Sequence, residues 1–197
     1  MAPAAHAQDG PYVRVDAGYQ HRARASENPQ TYTDWKNGYA FDVAGGYEAK
    51  SGLAVEGEFS LLNNKDKITA AAVTGPATGV GDVSLRFFMG NVKYSTPGPV
   101  RLYVSGGVGG YKSYLHGISN VIAQSFGFQA DGANDGVVFA WQARAGVDVP
   151  VAPKVGIIAG YRYLHGGDLL FKGTGFGDLM PNGVKINAVE GGVRVSF

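Results

Sequence analysis

The final residues Val193, Arg194, Val195, Ser196 and Phe197 alternate apolar with polar and end on an aromatic ring. The same period of two recurs in seven other segments. That period belongs to β-strands, because successive side chains of a pleated chain point to opposite faces. A chain with this pattern must build a sheet with one apolar and one polar face.

Counting back from Phe197, the residues Val195, Val193, Gly191 and Val189 share one face, while Ser196, Arg194, Gly192 and Glu190 share the other. The first candidate strand sets Val13, Val15, Ala17 and Tyr19 against Arg14, Asp16, Gly18 and Gln20. In the second, Tyr39, Phe41, Val43 and Tyr47 oppose Asp42 and Glu48; in the third, Leu53, Val55, Phe59 and Leu61 oppose Glu56 and Glu58. The fourth sets Val83, Leu85, Phe87 and Met89 against Asp82 and Arg86, and the fifth sets Leu102, Val104 and Val108 against Arg101, Tyr103 and Ser105. The sixth opposes Val137, Phe139, Trp141, Ala143, Ala145 and Val147 to Gln142, Arg144 and Asp148, and the seventh opposes Val155, Ile157, Ala159, Tyr161 and Tyr163 to Arg162. Lys93 breaks the pattern. If Phe88, Val92 and Tyr94 face outward with it inward, the fourth strand changes phase near Phe87, and a β-bulge is expected there.

A soluble sandwich or lipocalin-like barrel also alternates, so alternation alone does not say which face is inside. The connections do. Short links are expected at Ala49–Gly52, Ser95–Pro99 and Pro150–Lys154, and long ones at residues 21–37, 62–80, 112–136 and 165–183. Every long loop then falls at one end and every short turn at the other, as in bacterial outer-membrane barrels, where turns are periplasmic and loops extracellular. The expected fold is all-β: an eight-stranded antiparallel up-and-down transmembrane barrel with both termini periplasmic.

Composition agrees. The chain has 197 residues, enough for one such domain, and a net charge of +1, which gives no electrostatic case for nucleic acid. Mean hydropathy is -0.07, as expected where a lipid-facing surface averages with a polar interior. The uncharged stretch Ser113–Ala130 contains His116, Ser119, Asn120 and Gln124 and is too polar for a membrane helix. The absence of cysteine removes disulfide and thiolate chemistry. Ala5-His6-Ala7 ahead of Gln8 has the A-x-A form of a signal-peptidase site, so residues 1–9 are expected to be an unstructured signal-peptide remnant and residues 10–197 the barrel.

The segments "PYVRVDAGY", "MGNVKY", "LYVSGGVGGY", "FAWQARAGVDV", "AGYRYL" and "VEGGVRVSF" together resemble the small eight-stranded outer-membrane proteins of the opacity and surface-antigen, porin-like type. The resemblance spans the barrel and specifies architecture rather than activity. It implies surroundings of outer-membrane lipid and lipopolysaccharide. It also implies that Phe197, with Val195, Val193 and Val189, is read by the outer-membrane insertion machinery; a place in an interfacial aromatic girdle accounts for Phe197 equally.

Eight strands enclose a space only wide enough for side chains. The inward set holds Arg14, Arg86, Arg101, Arg144, Arg162 and Arg194 with Asp16, Asp42, Glu48, Glu56, Glu58, Asp82, Asp148 and Glu190. An interior ion-pair network follows, since buried charges persist only when paired and hydrogen-bonded. Inner glycines such as Gly46, Gly107, Gly109 and Gly192 leave room for the long side chains. Glu56 and Glu58 are read as part of that network rather than as an acid/base pair.

Catalytic and cofactor patterns are weak. His21, His116 and His165 lie in or beside expected loops with Ser26, Ser113 and Asp168 near them in sequence, and a solvated role is the simpler reading. Asp131, Asn134 and Asp135 miss the EF-hand spacing and read as turn residues, and "GGVGG" at 106–110 misses the phosphate-loop pattern. No cofactor or metal is expected. Loop three carries Ile118, Val121, Ile122, Phe126 and Phe128; loop four carries Leu169, Leu170, Phe171, Phe176, Leu179 and Met180; loop one carries Trp35. These residues either pack on one another or offer a partner surface. The expected function is a non-enzymatic surface protein, its barrel an anchor and its loops serving adhesion, envelope integrity or partner binding. The alternative is a narrow channel for small or hydrophobic solutes.

Overall fold

The computed structural model describes residues 9–22, 26–28, 31–72, 75–116, 132–133, 136–167 and 183–197. Its strands are β1 (Gly10–Arg22), β2 (Ser26–Asn28), β3 (Thr31–Glu48), β4 (Leu53–Ala72), β5 (Gly75–Ser95), β6 (Arg101–His116), β7 (Gly132–Ala133), β8 (Val138–Ala152), β9 (Val155–Gly166) and β10 (Val184–Ser196). Eight of these are long and antiparallel; β2 and β7 are short additions to β3 and β6. Pairing runs from β1 through β10, β9, β8, β6, β5 and β4 to β3, and β3 pairs back to β1. Among the described residues closure leaves no long edge unpaired, which is what allows a sheet to cross lipid.

The wall is inside-out relative to a soluble barrel. Val92, Val104 and Val108 are more than half exposed, and Phe88, Val189 and Phe197 are about two-thirds exposed. Arg101, Arg162 and Arg194 are among the largest fully buried side chains. A continuous exposed apolar belt of this kind suits hydrocarbon, not water.

On seven of the eight long strands the observed faces match the alternation. β5 differs. Its ladders with β4 and β6 run from Leu53↔Tyr94 to Ala72↔Gly75 and from Asp82↔His116 to Ser95↔Tyr103 without a register shift, so no bulge lies near Phe87. One phase holds throughout: Val83, Leu85, Phe87 and Met89 are buried inside with Lys93, while Asp82 and Arg86 are exposed outside. The expectation failed because it took the interior to be polar along its whole height. The half nearer the long-strand end is apolar, with Leu62, Leu85, Phe87, Tyr111, Leu164 and Ile186 in one cluster, so inward Leu85 and Phe87 meet apolar partners.

Several connections are shorter than the sequence suggested. Most of residues 62–80 is strand, because β4 and β5 stay paired as far as Ala72 and Gly75. Trp35 lies in β3, opposite Asp66, rather than in a loop. The 150–154 link shrinks to Pro153 and Lys154, with a register irregularity between Pro150 and Ala152. The expected loop residues Ile122, Phe126, Phe128, Leu170, Phe171 and Phe176, and residues 1–8, lie outside the described residues.

Candidate functional site

The interior below the apolar cluster is a dense ionic layer. Among its buried residues, six cations (Arg14, Lys93, Arg101, Arg144, Arg162, Arg194) face seven carboxylates (Asp16, Asp42, Glu48, Glu56, Glu58, Asp148, Glu190). They arrive from every wall of the barrel because each occupies the inward phase of its own strand.

Glu58 on β4 is the centre. It accepts hydrogen bonds from Arg144 Nη1 at 2.6 Å and Nη2 at 3.0 Å, from Arg14 Nη2 at 3.0 Å and from Arg162 Nη1 at 3.2 Å. Ser60 Oγ donates to it at 2.9 Å, Asn91 Nδ2 at 3.0 Å and Gln142 Nε2 at 3.2 Å. Charge-assisted bonds of this number offset the large cost of removing a carboxylate from water. Arg162 also forks Asp42 at 3.0 and 3.1 Å, and its Nε lies 2.5 Å from Glu190, which in turn sits 3.4 Å from Arg144.

A second group lies toward the termini. Arg14 pairs with Asp16 at 2.5 Å and Glu56 at 3.3 Å; Glu56 also accepts from the Tyr12 hydroxyl at 2.5 Å and pairs with Lys93 at 3.5 Å. Lys93 Nζ stands 4.6 Å from the Tyr12 ring centroid, a cation–π contact. Nearest the short turns, Arg101 and Arg194 share Glu48 and Asp148: Arg101 pairs with Glu48, Arg194 Nη1 reaches Glu48 at 2.9 Å, and Arg194 Nε and Arg101 Nη1 lie 3.1 and 3.6 Å from Asp148.

Small residues make this density possible. A side chain at Gly107 would run into Asn91, and one at Gly192 would run into Asp16. A void among Arg14, Glu56, Lys93, Tyr103, Ser105, Arg144, Asp148 and Ile158 measures about 10 Å³, at the lower limit for one water molecule.

Of the residues proposed from sequence for the interior, Arg14, Asp16, Asp42, Glu48, Glu56, Glu58, Arg101, Arg144, Asp148, Arg162, Glu190 and Arg194 are brought together. Arg86 is not, being exposed on the outer face with Asp82. Sequence reasoning missed Lys93, Tyr12, Asn91 and Gln142 as partners. Lys93 itself was the available signal: fixing the phase of β5 from it places Asn91 inside and Arg86 outside.

Val189, Val193 and Val195 are exposed on the outer face of β10; Phe197, one residue beyond it, is exposed too, and its amide donates to the Pro11 carbonyl at 3.0 Å. His21 is in β1 and bonds Asn37 at 2.7 Å; His165 lies in β9 beside Trp141, with ring centroids 5.9 Å apart. Among the described residues there is no cluster of metal-ligating side chains. Asp131, Asn134, Asp135 and Asp168 lie outside them.

Solved structures of the same architecture include Neisserial surface protein A (TM-score 0.67, 20% identity, 95% of this chain and 97% of that one). OprG from Pseudomonas aeruginosa matches with TM-score 0.59 and 10% identity over 98% of this chain and 99% of that one. Ail, the attachment invasion locus protein of Yersinia pestis, in complex with the heparin analogue sucrose octasulfate, matches with TM-score 0.53 and 19% identity over 95% and 99%. At these identities the likeness is one of fold. No curated protein matches the chain in sequence. The model for the outer membrane protein beta-barrel domain matches residues 1–197: the chain belongs to that family, and its place is the bacterial outer membrane.

Proposed function

We propose that this protein is a non-enzymatic surface protein whose barrel is a closed anchor and whose extracellular segments carry the interaction. The observation behind this reading is the filled interior. The ionic layer around Glu58 and the apolar cluster around Phe87 occupy successive levels of the described interior, and the void among Arg14, Glu56, Lys93 and Arg144 measures about 10 Å³. In this reading the termini and short turns are periplasmic, and the segments between β6 and β8 and between β9 and β10 face outward from the cell. The apolar residues Ile122, Phe126, Phe128, Leu170, Phe171 and Phe176 of those segments, together with Trp35, are assigned as the partner surface. Phe197, Val195, Val193 and Val189 form the signal for the insertion machinery. Ail, named for attachment and invasion, supports a surface role by analogy of fold alone.

The test replaces residues 117–131 and 168–182 with short turns. The barrel is expected to fold and insert as before, while binding of the expressing cells to surfaces or partner cells falls to the level of cells without the protein. Retained binding would contradict a loop-borne interaction.

A further inference from the structure

Two cations stand on the outer, lipid-facing side of the wall. Arg86 of β5 and Lys112 of β6 are directly opposed in the ladder. Both point outward, since their inward neighbours Phe87 and Tyr111 are fully buried. Like charges directly opposite on a sheet repel, and among the described residues neither cation has a carboxylate partner. Their surroundings on that face are Leu61 across β4, Phe88 below and Tyr114. The Arg86 guanidinium sits 4.3 Å from the Tyr114 ring centroid. That stacking fixes its plane and leaves its N–H edges available to fork an oxyanion, with Lys112 as an adjacent point charge.

The height of the pair identifies the oxyanion. From Ser95, where β5 meets the short turn, to Arg86 the strand climbs about 23 Å at a rise of about 3.3 Å per residue and a tilt of about 40°. The lipid-facing apolar band of such barrels is about 25 Å tall. The cations therefore lie at the far rim of the hydrocarbon, at the level of headgroups. Asp82, the described carboxylate on the same face of β5, is a further ~13 Å up the strand and clear of the pair.

We propose that Arg86 and Lys112 clamp a phosphate of an outer-leaflet glycolipid headgroup. The assignment to the outer leaflet rests on the reading that the short turns are periplasmic; the lipid-facing position of the pair does not.

The experiment uses the full chain refolded in detergent and titrated with lipid A carrying its phosphates and with the same lipid dephosphorylated. The parent is expected to bind the phosphorylated lipid about tenfold more tightly, the loss of one charge-assisted contact being worth about that factor. The Arg86→Gln/Lys112→Gln variant is expected to lose the preference, while Lys154→Gln, at the opposite end, keeps it; heat-modifiable migration on gels checks that each variant is folded. Equal affinity for the two lipids, or a preference kept in the double variant, would overturn the clamp. Displacement of lipid A by millimolar inorganic phosphate would also overturn it, by reassigning the pair to a free anion. Labelling of Ser51→Cys from outside intact cells by an impermeant maleimide would overturn the orientation, and with it the leaflet, independently of the lipid preference in detergent.

Discussion

Arg144 on β8 and Glu58 on β4 meet across the barrel interior at 2.6 Å, although three steps of the sheet separate their strands. The bond is a strut. It ties opposite walls together, and Arg14 and Arg162 share its carboxylate.

Glu58→Gln removes the charge that three guanidinium groups share and leaves them under-compensated in a buried site. Breaking a buried pair by deleting one partner costs about 3–5 kcal/mol. Urea unfolding of the refolded protein in lipid vesicles is expected to show a loss of that size, against less than ~0.5 kcal/mol for the exposed turn substitution Lys50→Gln.

Gly107→Ala acts on the same centre from the other side. The added methyl group would meet the Asn91 side chain and lie 2.9 Å from the Gly90 carbonyl oxygen, so Asn91 must withdraw from Glu58. Overpacking of this kind costs about 1–3 kcal/mol. Pairing Gly107→Ala with Asn91→Ala should recover part of the loss in a double-mutant cycle.

Phe87→Ala opens the apolar layer. Phe87 stacks on Tyr111 with ring centroids 4.8 Å apart and planes 11° from parallel, and the Tyr111 hydroxyl donates to the Gly167 carbonyl at 2.6 Å. A buried Phe→Ala change costs about 3–5 kcal/mol. If Phe87 faced lipid instead, the same change would cost far less, so unfolding of this variant checks the phase of β5.

Val92→Arg and Arg86→Gln check that phase from the outer face. Val92 is exposed on the outer face, about 8 Å up the strand from Ser95 and so between the rim and the midplane of the band, where an arginine costs about 1–3 kcal/mol. Arg86 lies at its rim, and its replacement is expected to change folding stability by less than ~0.5 kcal/mol. Vesicle-based unfolding of both variants gives the comparison.

The strands and most of the interior were legible in the sequence because a closed barrel divides every strand between two different solvents. Arg14, Glu58, Arg144 and Arg162 announce their face by charge, and Val15, Phe59, Ala143 and Tyr161 flank them on the other. β5 was misread because charge was trusted over continuity. Arg86 and Asp82 lie where the wall leaves the hydrocarbon, so outward charge is tolerated, and Leu85 and Phe87 fill an apolar half of the interior. Which guanidinium meets which carboxylate was not legible at all. Contacts such as Arg144 with Glu58 and Arg194 with Glu48 depend on how far opposite walls are offset, and alternation along single strands carries no information about that offset. The length of the β4–β5 hairpin was hidden for a related reason: its upper part, from Lys65 to Thr78, lacks a two-faced pattern.

A barrel closed by its ionic and apolar layers passes no ions. Single-channel recording in planar bilayers, on the refolded protein alongside Arg144→Ala, tests it most directly. No discrete conductance is expected from the parent and none from the variant while it remains folded, since Arg14 and Arg162 stay on Glu58 and the apolar layer is untouched. Steady, reproducible steps from the folded parent would contradict it and make the interior a conducting path.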